Sequence, residues 1–282
     1  MTDRSLNAPA NAAALLPRPL PVPALSTVPA SGPINQFLEW FGDLGIFFWQ
    51  VLRAAVTPPF EFRELFRQLD EIGSKSLPLV ALAGAATGIV LSMEARYSLT
   101  RFGAKSLLPA AIVFSIVHET GPIITGLVVS GRVGAGIGAE LASMKVTEQI
   151  DAIEASAVNP YRLLAATRIL ACILMLPLLT LAADASGVVM GWAAQAVVEP
   201  LSFHQFISSG FKGAGFNDFL PPTFKTMVFG LIIGLIACFQ GMRTQGGAAG
   251  VGRAATSSVV LSSLFVILAD VVLVKLILIF FP

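Results

Sequence analysis

The sequence predicts an all-α membrane protein, and three observations carry that prediction. The chain of 282 residues is 55% hydrophobic and only 12% charged, far below the roughly 25% charged content of soluble domains. Its mean hydropathy is +0.79. Beyond residue 75 it holds five apolar runs, each near the roughly 20 residues that a helix needs to cross a bilayer core. A net charge of +1 supplies no field for nucleic acid, so that class of partner is excluded. Cys172 and Cys238 sit in apolar segments without metal-ligand or disulfide spacing and read as small core residues.

Residues 1–33 hold seven of the 18 prolines together with much Ala and Ser. Such a segment cannot bury a core and is expected to be a disordered tail. Pro17, Pro19, Pro21 and Pro23 interrupt its apolar stretch, so no signal-peptide core is expected there. Residues 34–75 are expected to form interfacial amphipathic helices. In 34–55, Phe37, Trp40, Phe41, Phe47 and Trp49 alternate with Glu39, Asp43 and Arg53, a mixture that suits the membrane surface better than its core. In 59–73, Phe62, Leu65, Phe66, Leu69 and Ile72 recur at helical spacing opposite Glu61, Arg63, Glu64, Arg67 and Asp70.

The remainder, 76–282, is expected to form the transmembrane domain and holds the five spans: Ser76–Met93, Ser106–Gly131, Ile169–Val198, Thr223–Met242 and Ala254–Phe281. The third is long enough for one tilted helix or a tight hairpin at Pro177. With the N-terminus in the cytoplasm and the C-terminus outside, 12 of the 18 Lys and Arg residues fall on the inner side, as retention of basic residues requires. The segment 199–222, rich in Phe and Gly and containing His204, is expected to form a short interfacial helix on the outer side.

Between the second and third spans lies KVTEQIDAIEASAVNP, residues 145–160. Val146, Ile150, Ile153 and Ala157 fall at spacings of four, three and four and predict one apolar stripe on a helix; Glu148 and Asp151 share another face with Met144 and Thr147. Connectors that lie in headgroups are usually basic. Here Glu140, Glu148, Asp151 and Glu154 stand against Lys145, which points toward a basic protein partner. Asn159–Pro160 ends the helix, because the residue before proline disfavours the α conformation.

The stretch HETGPIITGLVVSGRVGAGIGAELASMKVTEQIDAIEASAVNPYRLLAATRILA, with FGDLG at 41–45, FRELFRQLDEIGSKSLP at 62–78 and GAAGVGRAATSSVVLSS at 247–263, resembles the MlaE-type permeases. These are membrane subunits of bacterial lipid-transporting ABC systems that work with MCE proteins. The likeness spans roughly residues 37–281. It implies that Glu140, Met144, Glu148 and Gln149, with Lys145 and Asp151 beside them, belong to a coupling helix that docks on an ABC ATPase subunit. It also implies a homodimer in the bacterial inner membrane, phospholipid as cargo, and an MCE-domain lipid-binding partner. ATP and Mg would then be held by the ATPase, with no cofactor in this chain. Where the family usually carries Arg, this sequence has His118.

An ionised side chain at mid-bilayer costs about 2.5–3.5 kcal/mol on insertion scales, so His118 and Glu119 in the second span are expected to face the bundle interior. Gly121–Pro122 follows directly and predicts a break or bend that frees backbone groups lipid cannot satisfy. These four residues are the expected lipid-cavity site. Asp184 and Asp270 are expected to be buried polar groups, either hydrogen-bonded across the bundle or serving as an ion relay. The relay would suit an ion-coupled secondary transporter, the alternative reading. Gly84 and Gly88, and the glycines from 121 to 138, predict close helix approach within the chain or between copies. The run GRVGAGIGA lacks the Lys-Ser/Thr of a phosphate loop and a preceding strand, so it binds no nucleotide. No nucleophile triad or metal cluster argues for an enzyme.

Overall fold

The computed structural model describes residues 33–56, 61–212 and 215–280; the expected tail, through residue 32, lies outside them. Among the described residues every regular element is a helix: α1 (Pro33–Val56), α2 (Phe62–Arg101), α3 (Lys105–Val146), α4 (Gln149–Ala155), α5 (Tyr161–Ala196), α6 (Phe203–Gly210), α7 (Phe216–Met242) and α8 (Gly247–Phe280). Five of them, α2, α3, α5, the Leu220–Met242 part of α7, and α8, are long and apolar enough to cross a membrane. The predicted fold class and span count therefore hold. The backbone divides into two units, residues 1–43 and 44–282. In the first, Phe37 and Trp40 both meet the Phe41 ring, at centroid distances of 4.7 and 5.1 Å. In the second, Phe47 is buried and meets Tyr161 and Phe239 edge-on at 5.7 and 5.6 Å.

The expected division between a surface helix ending at 75 and a span starting at 76 falls inside one continuous helix. At 40 residues and 1.5 Å per residue, α2 is about 60 Å long, about twice the hydrocarbon thickness. Its amphipathic first third is thus an extension of the first span. Gly73 and Pro78 do not interrupt it, because packing outweighs intrinsic propensity. Its buried side recurs every fourth residue: Gln68, Ile72, Ser76, Val80, Gly84, Gly88 and Ser92.

That side meets α5, a single 36-residue helix that runs through Pro177; the hairpin alternative is excluded. Gly84 and Gly88 face Gly187 and Gly191 across the seam. A Cβ on Gly84 would run into the Ala183 carbonyl, and one on Gly88 into the Gly187 carbonyl. In return, Cβ positions on Gly187 and Gly191 would lie 3.1 and 3.4 Å from the Gly84 and Gly88 carbonyls. Ser186 Oγ donates across the seam to the Ala81 carbonyl at 2.8 Å. These glycines thus serve contact within the chain, and the same holds for Gly126 against Phe229 and Val266 and for Gly138 against Ser258. Gly131 and Gly136 face open space.

The expected break at Gly121–Pro122 is replaced by a wider turn. Residues Ile116–Thr120 are π-helical, and the Gly121 N–H reaches back five residues to the Ile116 carbonyl. A π-turn shifts the hydrogen-bond register and lets α3 continue past Pro122, which has no N–H to give. A second π-turn, Ser130–Gly134, follows within the same helix.

Residues 145–160 depart from a single helix. Helix α3 ends at Val146, Glu148 adopts a left-handed conformation (φ 58°), and α4 starts at Gln149. The predicted stripe is therefore cut at Glu148, and of its members only Ile150 is buried. Helix α4 closes with Ala157 also left-handed (φ 60°). There the Val158 N–H bonds the Ile153 carbonyl and the Ala157 N–H bonds the Glu154 carbonyl, the hydrogen-bond pair of a Schellman motif normally built on glycine. Asn159 Oδ1 then accepts from the Tyr161 and Arg162 N–H groups at 2.9 and 3.4 Å, capping α5 with Pro160 behind it.

At the opposite end of the bundle, α6 is the short helix expected within 199–222. Ser202 Oγ accepts from the Gln205 N–H at 3.2 Å, and Phe206 is fully buried with Leu108, Ile112, Val113 and Ile116. Trp192 Nε1 donates to the Leu201 carbonyl at 2.9 Å. The Glu199 carboxyl is held below its ordinary value of 4.5, first by the hydrogen bond from Lys105 and then by the charges of Lys105 and Arg96.

Two outcomes test this account. Gly88→Val should destabilise the detergent-solubilised protein by about 1–3 kcal/mol through overpacking, while Gly136→Ala stays within about 0.5 kcal/mol; thermal unfolding compares them. Because the Glu199 pKa is depressed in the folded state, its tie is fully present above the ordinary carboxylate range and is lost as pH falls through the lowered value. Protection of residues 197–202 against hydrogen exchange should accordingly hold at pH 6 and weaken as pH falls through that lowered value.

Candidate functional site

The charged residues expected inside the membrane are drawn to one cluster, with one exception. Lys225 of α7 is 1% exposed at its side chain and lies between Glu119 of α3 and Asp270 of α8. Its Nζ donates to Glu119 Oε2 at 3.0 Å and stands 2.9 Å from Asp270 Oδ1. The latter is an ion contact rather than a directed hydrogen bond. Asp270 is 4% exposed, whereas Glu119 is 48% exposed. One ammonium is thus shared by two carboxylates, one sealed in the bundle and one at its surface. The signal for Lys225 in the sequence is a lone Lys in the fourth span, while the second, third and fifth spans each hold an acid.

His118 precedes Glu119 and stacks on Phe114, one helical turn back, with centroids 3.9 Å apart and planes 21° apart. Gly121 and Pro122 are buried. Gly121 must be glycine here, because a Cβ would collide with the Asp184 carboxyl.

Asp184 is the exception. It is buried at 6% exposure and stays apart from the Lys225 cluster. Its Oδ1 has no hydrogen-bond partner among the described residues. It borders a cleft of about 350 Å³ that is otherwise mainly apolar, lined by Val117, Leu181, Val188, Phe203 and Ile207 among others. The structure therefore unites two of the three expected membrane carboxylates and leaves the third alone. No group of three His, Cys, Asp or Glu side chains that could hold a metal ion occurs among the described residues.

The residues expected to couple to an ATPase lie at the corner between α3 and α5. Glu148, Gln149 and Asp151 are exposed, and Met144 is half-buried. Lys145 Nζ reaches Asp151 Oδ1 at 2.6 Å, bridging the left-handed break and holding α4 against the end of α3. Glu140 has a different place. Arg168 of α5, 2% exposed at its side chain, donates from Nη2 to Glu140 Oε1 at 2.8 Å and from Nη1 to the Leu164 carbonyl at 2.9 Å. Glu140, itself half-exposed, thus ties α3 to α5 at the corner, while Glu148, Gln149 and Asp151 present its outer surface. Arg132 makes a third such tie, donating to Ser76 Oγ of α2 at 2.6 Å. Neither Arg168 nor Arg132 stood out in the sequence, where each was counted only as an inner-side positive charge.

Comparison with known proteins places these positions in a common frame. The Permease MlaE family model matches residues 65–276. The probable ABC transporter permease protein of Rickettsia typhi is 35% identical over 243 residues, covering 86% of this chain and 93% of that protein. The corresponding protein of Synechocystis is 30% identical over 242 residues, 85% of this chain and 92% of its own length. Trigalactosyldiacylglycerol 1, a chloroplastic protein of Arabidopsis thaliana, is 32% identical over 224 residues, 79% of this chain and 64% of its own.

Removing one partner from a buried ion pair costs about 3–5 kcal/mol, because the other charge is left uncompensated. Lys225→Met should therefore lower stability by that amount. Lys225→Met combined with Asp270→Leu should recover most of it, while Glu119→Gln, at the exposed edge, should cost less than about 1.5 kcal/mol. Chemical or thermal unfolding in detergent separates the three.

Proposed function

This chain belongs to the MlaE family of ABC transporter permeases, and from that membership we propose that it moves phospholipid or a similar lipid between the inner membrane and a periplasmic MCE-type carrier. ATP is hydrolysed, with Mg, by a separate ATPase subunit, and the membrane subunit itself is not an enzyme. The observation that carries the lipid reading is the cluster of Glu119, Lys225 and Asp270. It is one small polar focus in a bundle whose surroundings are apolar, and it reaches the surface at Glu119 beside His118. A path for a hydrated solute needs polar lining along its length; an amphiphile needs one polar anchor and apolar walls. The lipid named in the Arabidopsis relative fits the same class of cargo.

In this reading His118, Glu119, Gly121 and Pro122 lie at the headgroup side of the cavity. Two copies enclose the cavity: α8 leaves Val260, Leu264, Leu268, Val271 and Val272 exposed, and Gly131 and Gly136 leave open room on α3. Residues 145–160 face the cytoplasm, as does the N-terminus, and α6 faces the periplasm. Glu148, Gln149 and Asp151 dock on the ATPase. Because α4 joins the spans through single residues held left-handed, force applied at α4 passes into both α3 and α5. Membership in an ATP-driven family leaves the ion-coupled alternative without its premise, and the separation of Asp184 from the other two carboxylates does not favour it.

Glu148→Lys with Asp151→Lys should abolish co-purification of the ATPase while the protein remains inserted and folded; retention of the ATPase would refute the docking role. His118→Leu should reduce phospholipid recovered with the protein in mild detergent several-fold. Mass spectrometry of the purified complex reads proteins and lipids together, and a chain that emerges without ATPase or lipid would refute the reading as a whole.

A further inference from the structure

A second charged cluster lies at the α6 end of the bundle, far along α2 and α5 from residues 145–160. Arg96 of α2 donates from Nη1 to Gln195 Oε1 at 3.2 Å, and its Nη2 stands 3.1 Å from Glu199 Oε1. Lys105, at the start of α3, donates to that same Glu199 oxygen at 2.8 Å. These four side chains, with Gln205 and Ser209 of α6, line a cleft of about 290 Å³. Arg96 and Thr100 are also walls of an adjoining trough of about 490 Å³, formed with Met93, Tyr97, Arg101 and Val198. The trough is mainly apolar, and Met93, Tyr97 and Val198 are each more than half exposed.

Among the residues lining the two spaces, Arg96, Arg101 and Lys105 stand against the single carboxylate of Glu199. Two of the three cations share one carboxylate oxygen. A guanidinium carries five N–H donors and an ammonium three, so Arg96 and Lys105 keep donors for a further anion. The depth also fits. Tyr97 is 72% exposed and Phe102 83% at the end of the first span, and aromatic residues at span ends favour the membrane–water interface.

We propose that the paired spaces form a binding site for one anionic phospholipid of the adjacent leaflet. Its phosphate meets Arg96, Lys105 and Arg101, and one acyl chain lies along Met93, Tyr97 and Val198. The site is separate from the Glu119–Lys225–Asp270 cluster and does not depend on the transport reading. Free phosphate would use the same cations but has no need of the trough. Glu199 competes with the ligand for its donors, and it keeps the two cations in place when the site is empty.

The test uses the full-length chain in detergent, with native mass spectrometry counting retained lipid as phosphatidylglycerol is titrated. Diacylglycerol with the same acyl chains serves as the control without a headgroup, and inorganic phosphate serves as competitor. The wild-type chain should retain phosphatidylglycerol but not diacylglycerol at this site. Arg96→Gln and Lys105→Gln should each weaken its retention about tenfold, equivalent to about 1.4 kcal/mol, and Arg96→Lys should restore part of it. Glu199→Gln should strengthen retention, the opposite of what a purely structural ion pair would give. Lys105 is half-exposed, so its variant keeps the test open if Arg96→Gln does not fold. Unchanged retention in Lys105→Gln, weaker retention in Glu199→Gln, or displacement of the lipid by millimolar phosphate would overturn the proposal.

Discussion

Close backbone approach between α2 and α5 is the interaction on which the rest of the structure depends. In lipid there is no hydrophobic gain from bringing two apolar helices together, so association rests on packing and on hydrogen bonds between helices. Gly84 and Gly88 on one side, with Gly187 and Gly191 on the other, remove the side chains that would hold the two backbones apart. Ser186 then bonds directly to a carbonyl of the facing helix. Several ties to α3 start from this pair. Helix α5 brings Asp184 against Gly121, Arg168 to Glu140, and Gln195 to Arg96; α2 supplies Ser76 to Arg132.

The second constraint is that a buried charge in a membrane has no water to fall back on. Lys225 and Asp270 are nearly sealed, and their pairing with each other and with Glu119 is what makes three charged groups tolerable at that depth. Glu119 is the half-exposed member, so the cluster is both a structural tie and a polar point offered to whatever lies outside. Asp184 shows the contrary case: a buried carboxyl with an oxygen lacking a hydrogen-bond partner among the described residues, pressed against a glycine and bordering an apolar cleft. Among the described residues no ion pair reaches it, so its burial is a feature of the packing.

The corner at 145–160 is rigid for a different reason. Two non-glycine residues, Glu148 and Ala157, are held left-handed, a conformation that is uncommon for residues with a Cβ. Around them stand the Lys145–Asp151 pair, the bonds closing α4, and the Asn159 cap of α5. A helix so short has little stability of its own; here it is fixed at both ends to long spans. That arrangement lets a small exposed surface move with the helices behind it.

The sequence by itself determined the class of fold, the number of spans and the family. Each of these follows from quantities summed over neighbouring residues: hydropathy, aromatic and charge mixture, and a long motif. What only the tertiary structure decided is which distant groups meet. Hydropathy does not encode the rotation of one helix against another, so nothing in the local pattern marks Lys225, Arg168 and Arg132 as the cross-helix partners they are. Local rules also misjudged three backbone features, and always in favour of regularity or of a clean break. The 145–160 pattern predicted one helix, where left-handed Glu148 divides it; Gly121–Pro122 predicted a break or bend, where a π-turn carries the helix through; and the 75/76 division falls within a helix that packs along α5. In each case a contact more than one helical turn away outweighed the local preference, and a contact of that kind becomes visible only when the helices are placed in space.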